Sequence, residues 1–193
     1  VRPMKHSRNR HSRTRKQKPV YGTDDYNSKD GMLTSVWGPG MWHYLHTMSF
    51  NYPVNPTKQQ KEQYRSFVLS LQHVLPCGKC RTNLQKNFKK LPLTMKDMLN
   101  RETFSIYIYK LHELINTMLG KRSGLTYETV KERYEHFRAR CALPHRNKTK
   151  KKLEKGCTEP LYGEKSKCIL RIVPETVKTE TLDIDEKCIK RRE

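Results

Sequence analysis

No apolar run in this sequence approaches the roughly 20 residues that a membrane-spanning helix needs. No signal-peptide-like apolar segment is read in it either. Acidic residues are scarce: Asp and Glu total 19 against 40 Lys and Arg, for a net charge of +21 over 193 residues. Such an excess draws polyanions, whether nucleic acid, anionic membrane or acidic protein, and by itself fixes no activity. Six cysteines are too few for a disulfide-dense scaffold at this length. Alternation of strand-like and helix-like patterns is missing, which argues against a thioredoxin-type βαβ domain. Only 34% of residues are hydrophobic, so a core exists but does not run the whole length of the chain.

The poorest stretch is residues 1–30. Arg2, Lys5, Arg8, Arg10, Arg13, Arg15, Lys16 and Lys18 occur with no acid before Asp24, and apolar residues are nearly absent. Such a segment cannot offset its ordering entropy and is expected to be a disordered basic arm. Phosphate contacts would let it bind nucleic acid weakly, without reading sequence.

What is present centres on Pro76-Cys77-Gly78-Lys79-Cys80. Leu84, Phe88 and Leu91 follow at helical spacing, so the two cysteines open a helix. Unpaired N–H groups at a helix start favour thiolate, and Lys79 and Arg81 act in the same sense. That makes the two cysteines a candidate redox pair. Half of a zinc site and an inert structural disulfide stay open on spacing alone.

The flanking patterns are helical. Trp37-Gly38-Pro39 is read as a helix start with proline in its first turn; Trp42, Leu45, His46 and Ser49 share one face, and Pro53 and Pro56 end the segment. Thr57 caps a second helix, with Tyr64, Phe67, Val68, Leu71, Val74 and Leu75 as its expected buried stripe. The third runs from the cysteines to about Lys90. Thr94 to Asp97 forms a capping-type turn. Phe104, Tyr107, Ile108, Leu111, His112, Ile115 and Leu119 make the longest stripe, stopped by Gly120. Thr126 starts a shorter helix, with Val130, Tyr134 and Phe137 inward. The expected fold class is all-α: a four-helix bundle plus a short fifth helix. Residues 31–141 form this domain. Residues 142–193 form a cysteine-containing extension, small and irregular or β, in which Lys167 to Pro174 alternates like a strand.

His46 and His112 both fall on apolar faces. Together with Trp42, Tyr134 and the cysteine pair they outline a flat-walled pocket suited to an isoalloxazine or adenine ring. A Cys-Cys-His-His metal site stays open on spacing, although no second Cys-x-x-Cys exists.

Trp37-Gly38-Pro39-Gly40-Met41-Trp42 with Leu45-His46, then Cys77-Gly78-Lys79-Cys80, then His112-Glu113-Leu114-Ile115-Asn116 and Leu119-Gly120-Lys121, resemble the flavin-linked sulfhydryl oxidases in order and spacing. The resemblance covers about Trp37 to Cys141 and points to a member from a large or giant DNA virus. It implies FAD as cofactor, held by Gly38, Trp42, His46, Cys80, His112, Asn116, Leu119, Lys121 and Tyr134, with no metal. Cys77 and Cys80 become catalytic: the outer Cys77 takes electrons from protein dithiols or a thioredoxin-like carrier, and the inner Cys80 passes them through flavin to O2, giving H2O2. Glu113 stands where the family usually has Asn. The cysteine that would partner Cys141 is missing near Tyr127, so Cys141 is free or pairs with the tail. Cys141, Cys157, Cys168 and Cys188 are then shuttle or structural cysteines, a Cys157–Cys168 bridge and a shuttle both standing as readings. The resemblance also implies a homodimer, and a setting in infected-cell cytoplasm or the virion, the mitochondrial intermembrane space being the alternative. The rival from another class is a zinc-stabilised or nucleic-acid-binding helical module.

Overall fold

The computed structural model describes residues 21–141, 156–180 and 182–191. Most of the expected basic arm and the Lys148–Lys155 linker lie outside them. The chain divides into two units, Val1–Asp30 and Gly31–Glu193. In the first unit, Thr23–Tyr26 forms a single helical turn, α1, where an unstructured arm is expected. The Asp25 carboxylate accepts from the Gly22 N–H at 2.9 Å, satisfying one donor at the turn's start.

Among the described residues, the second unit carries five further α-helices: α2 (Thr34–Phe50), α3 (Lys58–Val74), α4 (Gly78–Lys90), α5 (Arg101–Met118) and α6 (Tyr127–Glu135). No strand occurs among the described residues, and the all-α expectation holds. α2 packs most extensively on α5, α3 on α4, and α6 on α2. The shared core is apolar and fully buried at Tyr52, Val68, Met98, Phe104 and Ile108. Buried tyrosines keep their hydroxyls paired: Tyr52 donates to the Met98 carbonyl at 3.0 Å and Tyr107 to the Leu91 carbonyl at 3.0 Å.

Local chemistry sets the helix ends. Thr57 accepts from the Gln60 N–H at 3.2 Å while Gln60 returns a bond to the Thr57 N–H at 2.9 Å, a capping box. Asn100 and Thr103 exchange the same pair of bonds at the start of α5. Gly120 has φ +68°; its N–H bonds the Thr117 carbonyl, and the Lys121 N–H reaches back to the Asn116 carbonyl at 2.8 Å. That is a Schellman end, and it is why α5 stops there.

Three expectations are corrected. Phe67 and Val74, expected on the buried stripe of α3, are exposed, because only Val68 and Leu71 of that helix turn fully into the core. Pro39 lies inside α2, not in its first turn, because α2 begins earlier at Thr34. The entry segment is tied down before the helix: the Met32 N–H donates to the Pro76 carbonyl at 2.8 Å and the Trp37 indole N–H to the Met32 carbonyl at 3.1 Å. Residues 167–174 form no strand; their alternating apolar residues Ile169, Leu170 and Ile172 stay exposed with no sheet to pair with. The extension instead lies along the chain that leaves α6. Arg140 and Leu161 make backbone bonds to Glu159 and Arg138, and Ala139 and Pro160 form a lone antiparallel bridge. Gly163, at φ +65°, lies against the single 3-10 turn Glu186–Cys188 so closely that a Cβ there would stand 2.6 Å from the Lys187 carbonyl oxygen.

Candidate functional site

Cys77 is the N-cap of α4, and its sulfur accepts from the Cys80 N–H at 3.2 Å. The two cysteines form a disulfide with their Cα atoms 5.2 Å apart. A sulfur at this position meets the unpaired N–H groups of the helix start, so the reduced thiolate is stabilised there. Cys80 faces inward. It packs at the edge of the core, and its sulfur lies 3.4 Å from the Thr34 hydroxyl at the start of α2. Gly31 closes the other side of the loop: a Cβ on it would meet the Cys77 Cα and the Pro76 carbonyl oxygen, each at 2.9 Å. Arg81 donates to the Leu75 carbonyl and ties α4 back to the end of α3.

From Thr34 a row at four-residue spacing runs along α2 through Gly38, Trp42, His46 and Phe50. Helical rise separates Thr34 from His46 by about 18 Å. Around its far part the aromatic side chains gather. The Trp42 ring lies flat on His112 of α5, centroids 3.8 Å apart and planes within 6°. His46 Nε2 and His112 Nδ1 share a hydrogen bond at 3.0 Å. Tyr134 of α6 stacks on His46 at 5.2 Å and on Phe50 at 5.5 Å. α6 is brought there by Arg138, which makes a two-pronged bond to Glu135 at 2.7 and 2.8 Å and donates to the Phe50 carbonyl at 2.6 Å, at the negative end of α2. That pairing holds the Glu135 carboxyl below its usual range.

Burial keeps the histidines neutral. His46 is pushed down to about 3 by desolvation, helped by His112 and His43. His112 is pushed down to about 4 by desolvation, with Glu113 opposing. Tyr134 is pushed up to about 12 by burial. His46 Nδ1 and His43 Nδ1 are buried without a partner. Such an atom costs about 1–3 kcal/mol, and a polar ligand edge against it would recover that.

The structure thus brings together Trp42, His46, His112 and Tyr134, and sets Cys80 of α4 beside Thr34 at the start of α2. Gly38 of α2 is buried, one turn after Thr34. Asn116 is half-buried and donates to the Glu113 carboxylate at 2.9 Å, so the residue standing in place of the family's Asn engages its neighbour. Leu119 and Lys121 are exposed on the turn after α5, outside the ring cluster. Sequence reasoning missed Thr34, Gly31 and His43. His43 lies off the α2 stripe, and its role appears only when α6 sets Tyr134 5.6 Å and Phe137 5.7 Å from it.

The tail cysteines also resolve differently from one expectation. Cys141 bonds Cys157, with Cα atoms 5.3 Å apart, so no Cys157–Cys168 bridge forms; Cys168 and Cys188 are free thiols. The backbone bonds between residues 138–140 and 159–161 bring the two bonded cysteines together. Among the described residues no three His, Cys, Asp or Glu side chains converge to hold a metal ion, which leaves the zinc rival without a site there.

A helical bundle that mounts a dithiol pair on a helix start, beside a helix lined with stacked indole and imidazole rings, is a thiol-redox domain of the flavin-linked type. The Erv1 / Alr family model matches residues 39–135, half of the chain, and the chain belongs to that family. The probable FAD-linked sulfhydryl oxidase R368 of Acanthamoeba polyphaga mimivirus is 37% identical over 104 residues, spanning 54% of this chain and 72% of that one. The putative FAD-linked sulfhydryl oxidase 347L of Invertebrate iridescent virus 6 is 28% identical over 90 residues, 45% of this chain and 81% of its own length. The Arabidopsis thaliana FAD-linked sulfhydryl oxidase ERV1 is 30% identical over 84 residues, but the match spans only 42% of that protein. The crystal structure of the FAD-binding domain of Saccharomyces cerevisiae Erv1 aligns with TM-score 0.49 at 24% identity, covering 53% of this chain and 94% of that one. No described helix is long and apolar enough to cross a membrane.

Proposed function

We propose that this chain is an FAD-dependent thiol oxidase that introduces disulfide bonds into protein substrates through Cys77 and Cys80. The observation that carries the reading is the cysteine pair at the N-terminus of α4, with Cys80 held against the Thr34 hydroxyl of the helix that bears Trp42 and His46.

The thiol steps follow from the two sulfurs' settings. A substrate thiolate attacks Cys77, the sulfur farther from the core. The Cys77–Cys80 bond breaks, a substrate–Cys77 disulfide forms, and Cys80 leaves as thiolate. Thr34 donates to that departing sulfur. The second substrate thiolate then attacks its own bridged sulfur and displaces Cys77, whose negative charge the Cys80 N–H and the start of α4 stabilise. The substrate has given up two electrons and two protons, and the pair is reduced.

The residues along α2, α5 and α6 suit FAD. Unpartnered buried nitrogens on His46 and His43, flat rings at Trp42, His112 and Tyr134, and a glycine at 38 provide polar edges and stacking faces. Gly38, Trp42, His46, Cys80, His112, Asn116, Leu119, Lys121 and Tyr134 would hold it. When bound, the flavin would accept the electron pair from the reduced cysteines and deliver it to dioxygen, giving hydrogen peroxide. This chain's part is to fix the sulfurs, to keep both imidazoles neutral, and to shield the ring site with Tyr134 and Phe137.

Cys80→Ser tests the assignment. The variant should retain a yellow chromophore absorbing near ~450 nm, as expected of a flavin, and lose dithiothreitol-dependent oxygen consumption. Normal turnover would refute the role of Cys80. The viral relatives support a setting in infected-cell cytoplasm or the virion over the mitochondrial intermembrane space. A homodimer belongs to the same reading, since Tyr44 of α2 and Phe67 of α3 form an exposed edge-to-face pair 6.0 Å apart.

A further inference from the structure

We propose that the surface flanking Cys77 docks protein substrates whose reactive cysteine sits among apolar residues, with acidic residues four to six positions away. The inference rests on the oxidase reading above and adds the class of substrate.

Two independent features carry it. The first is an apolar collar. Met32, Leu33 and Val74 are 71%, 73% and 66% exposed, large hydrophobic side chains left in solvent. All three belong to segments that meet at the disulfide. Met32 bonds the Pro76 carbonyl, Gly31 abuts Cys77, and Val74 ends α3 just before Pro76. Exposed apolar residues scattered singly are unremarkable, but a cluster around a reactive group marks a contact surface.

The second feature is charge. Between Glu62 and Asp97 the sequence holds no acid. Within that span α4 presents Lys86, Lys89 and Lys90 to solvent, and none has a carboxylate partner among the described residues. Lys86 and Lys90 are one helical turn apart on the same side, in line with Lys79 beside the cysteines. Helical rise puts them about 14 and 20 Å from Cys77. An extended peptide covers about 3.3 Å per residue, which sets the four-to-six-residue offset. Clustered cations without counter-charges attract acidic segments and raise their rate of encounter. Nucleic acid fits less well: it offers no thiol to Cys77, and the outer face of α4 exposes no aromatic ring for base stacking.

The test uses the full-length protein and three dithiol peptides that share a Leu-flanked Cys-x-x-Cys and carry Glu, Gln or Lys four to six residues away. At low salt, kcat/KM should be about tenfold higher for the Glu peptide than for the Lys peptide, and the gap should close near ~0.5 M NaCl, where screening is short-ranged. K86E/K90E should remove most of that preference while dithiothreitol oxidation stays unchanged. V74D should raise KM for all three peptides alike, again sparing dithiothreitol. Equal kcat/KM for the three peptides, or a preference that survives K86E/K90E, overturns the proposal. So does a V74D variant that turns a dimer into a monomer, since the collar is then a subunit contact. It also falls if K86E/K90E weakens duplex DNA binding and leaves the Glu peptide untouched. If the wild-type protein oxidises no dithiothreitol, the oxidase reading fails; fluorescence anisotropy with Cys→Ser versions of the peptides still measures the docking.

Discussion

Two imidazoles, His46 and His112, are joined by one hydrogen bond and held neutral by burial. Both titrate near 6.5 in the unfolded chain, against about 3 and about 4 when folded. Between those values the unfolded state binds more protons, so stability rises with pH from about 3 to 6.5 and is level above that. His43, Glu113 and Tyr134 are the titratable groups packed against the pair; Glu135 adds an effect of the same sign only at lower pH. Each pKa unit corresponds to about 1.4 kcal/mol. The urea midpoint should therefore fall clearly between pH 7.5 and pH 4.5, and H112Q should flatten that fall. A midpoint independent of pH across this range would show that the imidazoles are not desolvated as described. At this scale the sequence announced much. Histidines on apolar faces could be read from spacing, as could the cysteine pair. Thr34 and His43 could not, because a hydroxyl and an imidazole off the apolar stripe carry no periodic signal, and their partners lie on other helices.

The helices illustrate what local chemistry dictates. Thr57, Asn100 and Thr126 accept hydrogen bonds from backbone N–H groups three residues on, and Gly120 supplies the left-handed residue that ends α5. The boundaries at Thr57, Thr126 and Gly120 were legible because capping is a property of a few adjacent residues; the cap at Asn100 was not read, and the structure supplies it. The start of α2 was not. Pro39 suggested a first turn at Trp37, but the bond from Met32 to Pro76 and the indole bond to Met32 anchor the chain earlier, and the helix runs through the proline. That anchor also seats Gly31 on the cysteine loop. Gly31→Ala places a methyl group against backbone that cannot rotate away, so the loop must shift. A loss of about 1–3 kcal/mol is expected, read as a lower urea midpoint with an unchanged m-value, together with slower reduction of the disulfide by dithiothreitol. Wild-type midpoint and rate would mean that the close approach is not maintained in solution.

For the whole molecule, surface character follows from composition while assembly does not. The chain carries +21, and the apolar Tyr44–Phe67 pair is exposed. Self-repulsion opposes association at low salt, so a dimer built on α2 and α3 must rest on buried apolar area. Sedimentation equilibrium should give twice the chain mass of 23.0 kDa, shifting toward 23.0 kDa for Y44E/F67E. A monomer in the wild type at micromolar concentration would remove the homodimer from the proposed function.

The sequence by itself determined the helical elements, their caps, the redox pair and the family, because each depends on residues close together in the chain or on a linear pattern of motifs. Only the tertiary structure decided which rings touch, which hydroxyl meets Cys80, that Cys141 bonds Cys157, and that the expected strand at 167–174 does not form. Those outcomes turn on distances between segments far apart in sequence. A strand needs a neighbour to take its hydrogen bonds, and a cysteine takes whichever partner the surrounding backbone brings within reach.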